Sequence, residues 1–261
     1  MKAKLETITP ALAEVMMERN VSNRKVTEEN LQLLAKEMRE GRWKVNGDAI
    51  RFTDEGIILD GQHRLLAVLR TGITIQSWVI YGLSKEVFNT IDVGKRRSNG
   101  DTLGCLGEKN ACRMSAALIL IDKYCTGAVE KSRSYSNSEI QGLLQKYPDV
   151  RKSLILSKSC KSLLLPSVMD SCHYLFSKKD TLLTEIFMSK VISGAGIMQN
   201  DPAYVLRERL LANSMATLKL TKALMMALVI KAWNLTREGK TAARLQLNVV
   251  DGKMISFPVI I

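Results

Sequence analysis

The chain has 261 residues, of which 46% are hydrophobic, enough for one large domain or two small ones. Lys and Arg number 38 against 26 Asp and Glu, a net charge of +12, so a polyanion is the natural partner class. No apolar run is long enough to span a membrane, and the longest, Ala223 to Ala232, is preceded by Lys222 and broken by Lys231.

The N-terminal stretch Met1-Lys2-Ala3-Lys4-Leu5-Glu6 lacks the apolar core of a signal peptide. Five cysteines (Cys105, Cys112, Cys125, Cys160 and Cys172) are scattered without C-x-x-C spacing, as expected of free thiols in a reducing cytoplasm. Cys172 adjoins His173, but zinc needs four converging ligands, and no metal site is assigned.

Along the chain, Asn23-Arg24-Lys25-Val26 leads to Thr27, an N-cap for a helix with Leu31, Leu34, Ala35 and Met38 on one face. Gly41-Arg42-Trp43 ends it, and Asn46-Gly47 marks a turn. A strand is predicted from Asp48 to Thr53, a turn at Asp54-Glu55-Gly56 and a second strand at Ile57-Ile58-Leu59. Asp60-Gly61-Gln62-His63-Arg64 then opens a helix that runs through Leu69, and Ile73 to Gly82 reads as another strand. Ser84 caps a short helix that ends at Ile91.

Beyond Leu103 the pattern is helical. Helices are predicted at Cys112 to Tyr124, after Ser136 with its capping box to Glu139, after Asp149, at Leu163 to Phe176, Thr181 to Ser193 and Ala203 to Ala212. The longest is predicted at Leu218 to Asn234, and the tail from Leu245 to Val250 and Ile255 to Ile261 reads as extended. The fold expected is therefore α+β: a small mixed sheet with helices over residues 1–100, then an all-α helical domain over 101–261. Residues 1–100 carry 16 basic and 13 acidic side chains, so +9 of the net charge lies in the second part. Aromatic residues are only 5%, which favours contact with a phosphate backbone over base stacking.

The chemistry concentrates at Asp60-Gly61-Gln62-His63-Arg64. The first amides of a helix have no intrahelical partner and carry the positive end of its dipole. Gly61 lets the backbone approach a ligand, and Arg64 presents a planar fork suited to phosphate. The same string also fits a plain N-cap, a turn glycine and a solvated first turn. Cations in a first turn oppose the dipole, however, and are better explained by an anion in front of them.

A second loop, Asp92-Val93-Gly94-Lys95-Arg96-Arg97-Ser98-Asn99-Gly100-Asp101, sets three cations among glycines. Lys95, Arg96 and Arg97 are placed to close on phosphates, with Asp92 as anchor or as contact to a phosphate-bound metal; the alternative is a solvated linker.

The order N-R, helix, glycine turn, strand, D-E-G turn, strand, D-G-Q-H-R helix resembles the ParB/sulfiredoxin superfamily over roughly residues 8–100. Gly61, His63, Arg64 and Ala67 fall on that superfamily's G-x-R/H-R-x-x-A box, and D-G-Q-H-R itself is similar to the box of many phage and mobile-element proteins. The D-x-G-x-x-R-S string from Asp92 to Ser98 also resembles those phage proteins. The resemblance implies a host-cytoplasmic protein binding ATP or another nucleoside triphosphate with Mg2+ at Gly61, Gln62, His63, Arg64, Asp92, Lys95, Arg96 and Arg97. Asn23, Arg24 and Asp48 are further candidates, and Asp60 and His63 would be the catalytic pair, Asp60 fixing the turn or acting as base.

Sulfiredoxins carry their nucleophilic cysteine where this chain has Gln62, which excludes sulfinic reductase chemistry. Partition proteins have Arg where this chain has His63, and no helix-turn-helix of their type follows. The expected function is phosphoryl transfer, NTP hydrolysis or DNA-modification chemistry associated with DNA. The alternative is a non-catalytic DNA-binding regulator that clamps a phosphate. A ParB-like nuclease ranks lowest, since no carboxylate cluster for two metals is present in the sequence.

Overall fold

The protein is described by a computed structural model covering all residues except 22, 24, 92–96, 155–162, 248 and 251–252. The chain separates into two units, Met1–Arg96 and Arg97–Ile261.

The first unit is a four-stranded mixed sheet with helices. Its strands are β1 (Lys2–Ile8), β2 (Ala49–Thr53), β3 (Ile58–Asp60) and β4 (Ile75–Leu83), in the order β1-β4-β2-β3. Strand β4 pairs antiparallel with β1 and parallel with β2, and β2 pairs antiparallel with β3. Ile75, Ser77 and Val79 of β4 are buried while Gln76 and Trp78 are exposed, the alternation of a sheet with one covered face. Helices α1 (Pro10–Met17), α2 (Glu28–Arg39) and α3 (Gln62–Thr71) complete the unit, α3 packing against both others. Met16, Leu31, Met38, Leu65 and Val68 from these helices share a core with Ile8, Ile50, Phe52 and Val79 of the sheet.

Strand β1 and helix α1 were not foreseen from the sequence. Of β1 only Ile8 is fully buried, and Lys2 and Lys4 are exposed, as befits a charged edge strand. The Tyr81 hydroxyl donates to Glu6 at 3.0 Å, and burial, then this contact, push its pKa up to about 12. Thr9 caps α1 by accepting from the Leu12 amide at 3.2 Å, with Pro10 in the first turn.

The second unit holds α4 (Asn99–Cys105), α5 (Ala111–Cys125), α6 (Asn137–Lys146), α7 (Val150–Ser153), α8 (Pro166–Ser177), α9 (Thr181–Ser193), α10 (Pro202–Met215) and α11 (Lys222–Arg237). A two-stranded hairpin of β5 (Val249–Val250) and β6 (Lys253–Met254) follows. Among the described residues, the tail expected to be extended over Leu245 to Val250 and Ile255 to Ile261 forms a strand only at Val249–Val250, which pairs with Lys253–Met254. The longest helix starts later than its hydrophobicity suggests, because Thr221 caps it by accepting from the Leu224 amide at 3.2 Å.

Trp233 of α11 anchors the core. It stacks on Phe176 at 4.5 Å between centroids and meets the edge of Phe187 at 5.7 Å. The neighbouring Asn234 donates to the Val259 carbonyl at 2.7 Å and accepts from the Ile261 amide, so Trp-Asn fixes the core and the C-terminal segment together. Among the described residues no helix is long and apolar enough to cross a membrane.

Candidate functional site

The D-G-Q-H-R turn lies where β3 becomes α3. Gly61 precedes the helix with φ +106°, a left-handed conformation that favours glycine. A Cβ at this position would lie 2.9 Å from Ile50 Cγ1 and 3.1 Å from Ile50 Cα, so the turn is pressed directly onto β2. The Gly61 carbonyl accepts from the amides of Arg64 and Leu65, closing the first turn. That turn contains no acidic residue.

Asp60 is the hub of the turn. Its Oδ1 accepts from the Gly61 amide at 2.7 Å, and its Oδ2 accepts from Arg51 Nη1 at 2.5 Å and Arg64 Nη2 at 3.2 Å. One carboxylate therefore bridges two guanidiniums, and its position serves to fix the turn. The Arg64 fork is completed by Nη1 donating to the Asp48 carbonyl at 2.9 Å. Asp48 contributes through this backbone oxygen, while its carboxylate faces Asn46 at 3.3 Å.

Arg51 is the member of the site that sequence reasoning missed. It stands directly opposite Asp60 in the β2–β3 register, an opposite-charge cross-strand pair. The signal was present: an Arg in one strand and an Asp in the next, joined by a short D-E-G turn.

His63 has a different surrounding. Its Nε2 accepts from the Thr27 amide at 3.1 Å. The same bond ties the residue before α2 to α3. Gln62 is buried, and its amide oxygen accepts from Asn20 Nδ2 at 3.3 Å. Asn23 donates to Asn20 Oδ1 at 2.6 Å and to the Ile58 carbonyl at 2.9 Å, so an amide chain runs from Asn23 to Gln62 beside β3.

The structure thus gathers Asn23, Asp48, Asp60, Gly61, Gln62, His63 and Arg64 at one turn. Arg24, Asp92, Lys95 and Arg96 lie outside the described residues. Arg97 is exposed and precedes the Ser98–Asp101 capping box of α4, in the second unit.

No family model, curated protein or solved structure matches this chain.

Two further clusters in the second unit bear on chemistry. Cys172, weighed above beside His173 as a zinc ligand, is fully buried in the aromatic core, and burial pushes its thiol pKa well up. His173 bonds Ser153 Oγ through Nδ1 at 2.9 Å and Glu185 Oε1 through Nε2 at 3.0 Å. This Ser-His-Glu chain has its hydroxyl inside, with Ser153 buried, and its carboxylate half exposed. A nucleophile must face a substrate, so the chain serves as a polar link between α7, α8 and α9. Among the described residues no group of three or more His, Cys, Asp or Glu side chains is placed to hold a metal ion.

Proposed function

We propose that the first unit binds the phosphates of a nucleotide at the start of α3. The observation that carries this reading is the convergence of Arg51 and Arg64 on the turn before a helix whose first turn holds no acidic residue. Asp60 orients both guanidiniums, Gly61 removes the side chain that would stand between backbone and ligand, and the α3 dipole adds positive potential. The likeness of the D-G-Q-H-R box to the ParB/sulfiredoxin superfamily supports the same reading.

Mg2+ in this scheme arrives with the nucleotide's phosphates. The residues of the site bind and orient. Arg64 and Arg51 neutralise phosphate oxygens, and His63, held at the helix start by the Thr27 amide, stands beside them. Phosphoryl transfer relies mainly on such positioning and charge neutralisation, so a kinase, NTPase or DNA-modification activity is compatible with this set.

Calorimetric titration of ATP, CTP, GTP and ADP, with and without Mg2+, tests the proposal on wild type and Arg64→Ala. Saturable binding that the substitution removes is expected. A folded wild type that binds none of them overturns it.

A second reading, a non-catalytic DNA-associated protein, is favoured by the cations of the second unit. Of the net charge of +12, +9 lies beyond residue 100, and such a basic excess suits a phosphate backbone. DNA binding that weakens steeply with salt and persists in Arg64→Ala would support this reading; its absence would remove it.

A further inference from the structure

The second unit contains a groove of about 890 Å³, within the size range of small-ligand sites. Leu224 and Leu228, four apart on α11, line one side of it together with Leu220, which lies just before that helix. Leu245 and Leu247, two apart in the segment after that helix, also line it. Ile255, another lining residue, is 71% exposed, so the apolar surface continues to solvent.

The charged residues lining this groove are Arg209 and Arg244, with no acidic side chain among them. Both are exposed, and among the described residues neither is paired with a carboxylate. A leucine-walled groove bordered by two such guanidiniums matches a ligand with an apolar body and an anionic head. A neutral apolar ligand would gain no charge-assisted contact from either arginine, and a nucleotide would find no aromatic side chain among the lining residues for its base.

We infer that this groove is a binding site for an amphipathic carboxylate, an acyl-chain acid being the simplest case. The site is separate from the α3 turn, and the two stand or fall independently.

The full chain would be titrated with 8-anilinonaphthalene-1-sulfonate, an apolar anion whose fluorescence rises on binding. The bound probe would then be displaced with decanoate or decanol. Saturable binding is expected, with decanoate effective at about tenfold lower concentration than decanol, as one charge-assisted contact would give. An Arg209→Glu/Arg244→Glu variant should lose that preference while its circular dichroism is unchanged. If this double variant does not fold, the single variant Arg209→Gln should show the same direction of change. Absence of saturable probe binding, equal displacement by decanol and decanoate, or unchanged preference in a folded variant would each overturn the site.

Discussion

Two arginine–aspartate arrangements in this protein use the same chemistry for different ends. In the second unit, Asp170 is fully buried and Arg113 clasps it, with Nη2 at 3.1 Å from both carboxylate oxygens and also donating to the Leu154 carbonyl at 2.7 Å. In the first unit, Asp60 keeps 15% of its side chain exposed and divides its charge between Arg51 and Arg64. A buried carboxylate clasped by a guanidinium holds helices in place. A partly exposed carboxylate shared by two guanidiniums at a helix start carries one positive charge in excess, and it is on this difference in burial and sharing that the anion-binding proposal rests.

Removing one partner of the buried pair gives the largest expected effect. Arg113→Ala removes the guanidinium that clasps the buried Asp170 carboxylate and should cost about 3–5 kcal/mol in denaturant unfolding. An Arg113→Leu/Asp170→Leu double variant should recover most of that loss. If Arg113→Ala is nearly neutral, the contrast between the two arrangements fails at its structural end.

Next in size is Gly61→Ala. The left-handed backbone costs an alanine roughly 1–2 kcal/mol, and the contact with Ile50 adds to it, so about 2 kcal/mol or more is expected. A thermal melt matching wild type would show that the turn is not pressed onto β2.

Arg51→Ala and Arg64→Ala should each cost only about 1 kcal/mol of stability, since their partner carboxylate is partly solvated and keeps the other arginine. Their larger effect is expected on anion binding. Losses above about 3 kcal/mol would place this cluster with the buried pair instead. The smallest effect belongs to the exposed Arg70–Glu28 pair: Arg70→Ala should leave the melting temperature unchanged.

The part of the fold carried by local signals was legible in the sequence. The D-E-G and D-G turns, the aromatic and β-branched content of Ile73 to Gly82 and the cap residues Ser84 and Ser136 located β2, β3, α3, β4, the short 3-10 helix Lys85–Thr90 and α6 closely. What depended on distant partners was not. Strand β1 has little buried face of its own and exists because it pairs along β4. Helix α1 has eight residues, too few for a persuasive periodicity, although Thr9-Pro10 marks its start. The site was legible in its consecutive residues; Arg51 left a signal in the hairpin register that was not used, and the role of Asn20 follows from packing alone. The contact of His63 with the Thr27 amide likewise follows from packing between α3 and the start of α2.

The most direct test of the account is a nuclear magnetic resonance titration of the 15N-labelled full chain with Mg-ATP. The account predicts saturable shifts at the amides of Gly61, Gln62 and His63 and at the Nε groups of Arg51 and Arg64. Shifts confined to other parts of the chain, or none at all from a folded protein, would contradict it.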